Sequence, residues 1–286
     1  MVFNYKTEST ILKDRKAFTL VELLVVVAVL ALLASIVFSN LTGAREQAKI
    51  SNALSFQSNT HNLLGADLVG WWNFDDEDNR YKDLSGYGNN GSCTSCPTLV
   101  DGVPGTSGKA MSFNGSGNYV KLNTVNLDKE FSISGWVYFN GSPSYEYLFA
   151  RNTAASSDMQ YGVIIRTPEE GGNWGVYING TNKTIKSSKV WPMKEWLHII
   201  VSWDGSLIRG YVNGKLDGST SFTENLDDLG DFQSIGRRSN SSTGTSSTGL
   251  WDGLIDDVRI YSRALTAYEV QTLYAQTKDN YLAEEQ

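Results

Sequence analysis

Three hydrophobic patterns follow one another along the chain. Residues 18–38, "FTLVELLVVVAVLALLASIVF", are apolar almost without a break, and Glu22 is their one charged residue. About 20 such residues suffice for a helix to cross a hydrocarbon core. The next stretch, "LTGAREQAKISNALSFQSNTHNLLG", is rich in helix formers, with apolar positions at Leu41, Ala44, Ala48, Ile50, Leu54 and Leu64. Its spacing is partly amphipathic and predicts that one helix runs from Phe18 to Leu64, about 70 Å if unbroken. Gly43 can loosen that helix and Gly65 can end it.

Beyond Gly65 the period drops to two, and Gly, Asn, Ser and Thr become frequent. "FSISGWVYF" (131–139) sets Phe131, Ile133, Val137 and Phe139 against Ser132, Ser134, Trp136 and Tyr138. "WLHIIVSWDG" (196–205) puts Leu197, Ile199, Val201 and Trp203 on one face. "GVYING" (175–180) and "RGYVNGK" (209–215) carry Asn-Gly, the strongest short hairpin signal. Many short alternating strands with such turns predict an antiparallel sandwich. The last strand, "LIDDVRIY", places Leu254, Asp256, Val258 and Ile260 on one face by strict alternation. Asp256 would then point inward and need a partner. "SRALTAYEVQTLY" reads as a closing helix with a Thr266–Glu269 capping box.

Charge and cysteine content narrow the function. The 286-residue chain has a net charge of −7; residues 1–17 carry a local +2, so the remainder carries −9. An acidic body argues against non-specific nucleic-acid binding, which needs clustered Lys and Arg. Basic residues before the apolar run keep the N-terminus cytoplasmic and export the body. The two cysteines, Cys93 and Cys96, form one C-x-x-C before Pro97. A zinc site would need His61 and His198 to converge on them. The remaining readings are a local disulfide closing a loop in an oxidising compartment and a pair of free thiols.

A plain membrane anchor has no use for Glu22, since a carboxylate in lipid is costly. "KAFTLVELLVVVAVLALLASIV" resembles the N-terminal signal of type IV pilins and pseudopilins. The resemblance implies a cut between Ala17 and Phe18, methylation of the new Phe18 amine by the prepilin peptidase, and assembly through Glu22. Ala17 stands where that family usually has Gly. Glu22 lies one helical turn from the Phe18 amine. It can serve its own helix dipole, or, as the resemblance implies, the amine of a neighbouring subunit.

A second resemblance covers the body. "GWWNFDD", "DLSGYGNNG", "GKAMSFNGSGNYVKL", "IGRRS" and "LWDGLIDDVRIYSRALTAYEVQTLY", in that order with the strands above, look like a laminin G-like, concanavalin A-like jelly roll. The expected fold is thus a long N-terminal helix followed by an all-β antiparallel sandwich. The divisions are a leader (1–17), an assembly helix (18–64), the jelly roll (65–276) and a tail (277–286). The resembled superfamily implies a structural calcium held in part by Asp256. Asp83 is either a second ligand or the cap of a turn. Trp72, Trp136, Trp196, Trp203 and Trp251 fall at framework positions, where aromatics fill the core. Tyr87, Tyr145, Tyr147 and Trp191 fall in apparent loops, and "SNSSTGTSSTG" (239–249) can form a binding rim.

The expected function is a prepilin-like surface protein in a pilus or pseudopilus, displaying a lectin-like domain that adheres to glycan or protein. Its partners are the peptidase, other pilin subunits and the membrane. A pseudopilin with a purely structural body is one alternative. A membrane-anchored polysaccharide-acting enzyme is the other, although the E-x-D-x-x-E signature of glucanases with this fold is absent and the reading is non-enzymatic.

Overall fold

The computed structural model describes residues 20–31, 33, 64–103, 108–123, 125, 127, 129–141, 146–152, 159–165, 174–178, 181–185, 192–224, 226, 232–237 and 249–279. The expected cleavage site, the helix between 34 and 63, Tyr145, Trp191 and most of the 239–249 loop lie outside them. The chain divides into two units, Met1–Phe56 and Gln57–Gln286.

In the first unit residues 20–31 form helix α1. Its Leu and Val side chains are exposed, from 49% at Val29 to 77% at Leu20. Such a surface marks a face made for lipid or for protein. Among the described residues, no helix is long and apolar enough to cross a membrane.

Among the described residues of the second unit, a 3-10 turn, Gly65–Asp67, precedes fifteen strands. They are β1 (Leu68–Trp72), β2 (Gly91–Ser92), β3 (Thr98–Asp101), β4 (Lys109–Asn114), β5 (Val120–Leu122), β6 (Phe131–Phe139), β7 (Glu146–Asn152) and β8 (Met159–Ile165). Then come β9 (Trp174–Ile178), β10 (Thr181–Ile185), β11 (Leu197–Trp203), β12 (Leu207–Val212), β13 (Lys215–Ser221), β14 (Phe232–Ile235) and β15 (Asp252–Tyr261). Helix α2 (Ala267–Asp279) closes the unit. One sheet runs β13-β12-β11-β6-β15-β4-β3, with β1 also pairing β15; the other runs β10-β9-β8-β7-β14-β5-β2. The pairings are antiparallel. This is the sandwich the alternation predicted.

The main core lies between the sheets. Ile133, Val137, Ile199, Val201 and Ile260 meet Val120, Phe149, Val176 and Ile235 there. Each such side chain contributes about 1.5–3 kcal/mol by leaving water. The Asn-Gly signal at 213–214 closes a hairpin. Val212 pairs Lys215 across Asn213 and Gly214, whose φ values of 49° and 75° make the primed turn that suits a twisted ribbon. Ile178 pairs Thr181 in the same two-residue register.

The polar faces of β6 and β11 do not meet water. Ser132, Ser134, His198 and Ser202 are all buried, because α2 and the segment before it lie over that face. A second apolar cluster forms there from Leu68, Ile200, Tyr211, Tyr261, Leu265, Val270 and Leu273. The Ser132 hydroxyl accepts the Leu265 N–H (2.8 Å) and donates to the Arg263 carbonyl (2.9 Å), and the Ser202 hydroxyl donates to the Leu265 carbonyl (3.1 Å), so Ser132 and Ser202 fasten the covering segment. The capping box is formed: the Thr266 N–H donates to Glu269 Oε2 (2.8 Å) and the Glu269 N–H to Thr266 Oγ1 (3.3 Å). Helix α2 continues to Asp279, so Thr277 belongs to the body and bonds the Leu273 carbonyl.

Strand β15 departs from strict alternation. A bulge interrupts its pairing with β6 between Asp256 and Arg259, and Asp257 takes a left-handed φ of 46°. The extra residue switches the face. Ile255, not Leu254, joins Val258 and Ile260 in the core. Asp256 lies opposite Trp136, on the face away from the inter-sheet core, and is buried there.

Candidate functional site

The bulge gathers charge. Asp257 Oδ1 accepts the Trp71 indole N–H at 2.7 Å and the Arg259 Nε–H at 2.9 Å, and the Arg259 guanidinium lies 4.6 Å from the centre of the Trp71 ring. Trp71 and Arg259 face each other across the β1–β15 ladder. Burial alone would lower the pKa of Arg259, but the charge of Asp257 overcomes it and the net shift is upward. The adjacent Asp256 accepts the Asp257 N–H on Oδ1 at 2.6 Å. Burial first, then the like charges of Asp257 and Asp75, raise its pKa well above the usual carboxylate range.

Asp83 has a different occupation. Its Oδ1 accepts the Trp71 and Ser85 N–H groups (2.9 Å each) and its Oδ2 accepts that of Asn89 (2.8 Å). It is the cap of the turn that carries Gly86 and Gly88 at positive φ. A carboxylate ringed by three N–H donors does not invite a cation. Asp75, rather than Asp83, is the carboxylate set against Asp256. Among the described residues, no group of three or more His, Cys, Asp or Glu side chains is gathered to hold a metal ion. Of the two readings the sequence left for Asp83, the structure shows the turn cap.

His198 is buried between Trp136 and Tyr274, with ring centres 5.1 and 5.9 Å away. Burial pushes its pKa down to about 3, so it is a neutral packing element beneath α2. Cys93 and Cys96 are joined as a disulfide with a Cα–Cα distance of 5.1 Å. The loop they close supports the β4–β5 turn: the Tyr119 N–H donates to the Ser95 carbonyl (3.2 Å) and the Asn118 amide to the Cys96 carbonyl (3.0 Å). Tyr119 in turn carries the Arg237 guanidinium 4.8 Å from its ring centre, at the entry to the 239–249 loop.

The framework tryptophans Trp72, Trp136, Trp203 and Trp251 are buried. Trp196 is half-buried against Tyr138. Tyr87 is exposed at 62%, as a loop residue should be. Tyr147 is not a loop residue: it lies in β7 and is fully buried, because the strand starts one position earlier at Glu146. Glu22 lies on the exposed helix α1; Ala17 and Phe18 fall outside the described residues.

Sequence reading passed over Glu146. It is 1% exposed. Burial chiefly, only partly offset by a hydrogen bond from the Asp252 backbone and reinforced by the Asp252 charge, pushes its pKa up to about 8. Its one signal in the sequence is an acid opening a strand-like run, "EYLFARN", and that does not tell a surface acid from a buried one.

Residues 114–271 match the family described as the concanavalin A-like lectin/glucanases superfamily, and residues 12–38 match the prokaryotic N-terminal methylation motif. Domain 4 of AbnA, an extracellular arabinanase from Geobacillus stearothermophilus, solved with arabinotriose, is similar at 21% identity and a TM-score of 0.58, over 73% of this chain and 98% of that one. The binding domain of Paraclostridial Mosquitocidal Protein 1 aligns at 19% identity and 0.57, over 74% and 53%. The ligand-binding domain of botulinum neurotoxin serotype D, solved with N-acetylneuraminic acid, aligns at 15% and 0.55, over 75% and 52%. The chain spans about half the length of these two toxin domains. At such identities the likeness is one of fold.

Proposed function

The chain belongs to the concanavalin A-like lectin/glucanases superfamily, and we propose that it is a prepilin-like surface protein that displays this sandwich for adhesion to a glycan. The observation that carries the reading is the joining, in one chain, of a methylation motif at 12–38 to a lectin-like sandwich at 114–271. The prepilin peptidase cuts before Phe18 and methylates it. Glu22 then pairs with the Phe18 amine of a neighbouring subunit, and register follows from that pair. The exposed Leu and Val of α1 suit a helix that lies first in lipid and then among other pilin helices. The body stands outside the cytoplasmic membrane, where the Cys93–Cys96 disulfide is stable.

Glycan is favoured over other ligands because two of the similar domains are described as sugar-bound, one with arabinotriose and one with N-acetylneuraminic acid. Fold likeness alone does not carry a ligand from one protein to another. The test is a glycan array probed with the full-length protein in detergent, with and without calcium. Binding to a defined sugar class supports the adhesin. A blank array, with normal incorporation into filaments, replaces it with a structural pseudopilin. Polysaccharide turnover would replace it with an enzyme. Mass spectrometry tests the first half: a mature chain must begin at Phe18 and carry a methyl group on its amine.

A further inference from the structure

We propose that a row of side chains led by Trp196 and Tyr138, on the outer face of the sheet that holds β6 and β15, binds a neutral sugar chain. The proposal rests on the reading of the body as a glycan-binding sandwich and gives that reading a place. Alternation in β6 sends Val137 and Phe139 into the core and Tyr138 to the other face. Tyr138 stands opposite Leu254 of β15, Leu254 opposite Ser112 of β4, and Ser112 opposite Thr98 of β3. Trp196, just before β11, extends the row at the Tyr138 end, with the two ring centres 5.7 Å apart. Four strand spacings of about 4.8 Å make the row roughly 19 Å long. The β15 bulge helps to build it, since taking Ile255 into the core leaves Leu254 outside. On the same face Trp136 and His198 are roofed by Tyr274 of α2 and are buried. Trp196, Tyr138, Leu254 and Ser112 keep part of their surface in water, and Thr98 is exposed.

The chemistry of the row is that of a sugar's two sides. Trp and Tyr rings offer an apolar surface to the C–H face of a sugar ring and keep a polar tip for water or a hydroxyl. Ser112 and Thr98 continue the row with hydroxyls. Hydrogen-bonding groups run along one flank. The Asn140 N–H donates to the Asp252 carbonyl (2.9 Å) and the Asn140 side-chain amide to Asp252 Oδ1 (3.1 Å), and Asp252 pairs with Asn114 of β4. The next residue, Gly253, pairs with Phe139 at a φ of 144°, and a Cβ there would strike the Tyr138 carbonyl oxygen. The start of β15 therefore has one position against β6, and the flank is set before any ligand arrives. Amides and a carboxylate suit sugar hydroxyls, which both donate and accept. The charge of Asp252, on a body that carries −9 beyond residue 17, turns away acidic sugars and selects neutral ones. A protein partner fits the row poorly. A stable protein interface takes about 20–30 residues a side, and this row is one side chain wide.

The experiment applies the full-length protein in detergent to an array of neutral and acidic oligosaccharides, then titrates the sugars that bind by tryptophan fluorescence. The wild type should bind neutral oligosaccharides and pass over acidic ones. Trp196→Ala and Tyr138→Ala should each weaken binding at least tenfold, as truncation of an aromatic anchor does. Trp196→Phe should keep most of the affinity and lose the fluorescence change. Tyr87→Ala, which removes the exposed tyrosine of the turn capped by Asp83, should bind as wild type. Thermal melts show that each variant is folded. Should an alanine variant unfold, Thr98→Arg, at an exposed position, obstructs the end of the row and should weaken binding with an unchanged melt. Equal sugar binding by wild type, Trp196→Ala and Tyr138→Ala overturns the row and leaves the glycan reading standing. Binding of acidic sugars alone overturns the selection for neutral ones. A blank array overturns both the row and the glycan reading; self-association lost in Trp196→Ala, read by sedimentation, would then assign the row to a second copy of the chain.

Discussion

Replacing Asp257 by Asn removes one charge from the Trp71–Asp257–Arg259 cluster and little else. Asn tolerates the left-handed φ of 46° and keeps an oxygen for the Trp71 indole N–H. Arg259 is left without its counter-charge; the two side chains are only 16% and 9% exposed. Breaking a buried pair by removing one partner costs about 3–5 kcal/mol. Residual exposure and the cation–π contact with Trp71 argue for the lower end, so the expected loss is about 3 kcal/mol. Asp257→Ala adds an orphaned Trp71 N–H, about 1–3 kcal/mol, and an alanine in the left-handed region, about 1–2 kcal/mol. Such a total approaches the stability of an ordinary domain. The double variant Asp257→Asn with Arg259→Met removes the stranded charge and should recover most of the loss. Urea unfolding followed by circular dichroism, with unchanged m, measures all three. The reasoning fails if Asp257→Asn lies within about 0.5 kcal/mol of wild type, or if the double variant is no more stable than Asp257→Asn alone.

Three further expectations rest on other parts of the molecule. Glu146 has a folded pKa near 8 against an ordinary 4.5, so its contribution is full below pH 4.5 and is lost as pH rises toward 8. His198, lowered from 6.5 to about 3, acts oppositely: its contribution is present above pH 6.5 and lost as pH falls toward 3. Melts across pH 4–9 should therefore show a slope on the alkaline side that Glu146→Gln flattens; an unchanged slope in that variant contradicts the burial of a protonated Glu146. Gly253→Ala should destabilise by roughly 3 kcal/mol or more, because β15 and β6 must part to admit the methyl group, and a wild-type melt would show that the strands yield there. Glu22→Ala should leave membrane insertion intact and reduce incorporation into filaments, read by fractionation and shearing; normal assembly would confine Glu22 to its own helix dipole.

Much of the architecture was legible along the chain, because it depends on near neighbours. The period-two runs at 131–139 and 197–203, the Asn-Gly turn at 213–214 and the Thr266–Glu269 cap are each written within a few residues. So is the methylation motif at 12–38, whose spacing of Phe18 and Glu22 is a local feature. What lies over a strand's second face is not local. Ser132 and His198 look like surface residues in sequence and are buried, because α2 arrives from more than 60 residues downstream to cover them. The β15 bulge, which moved Ile255 inward in place of Leu254, follows from pairing with β6 over a hundred residues away, and no period reveals it. The same long-range register brought Asp75 rather than Asp83 to Asp256, joined Trp71 to Asp257 and left Glu146 beside Asp252. The chain's alternation set which residues could be strands. Which acids became caps, ion pairs or buried carboxylates depended on partners that only sheet pairing brings within reach, since burial and charge act over a few ångströms of space and not over sequence.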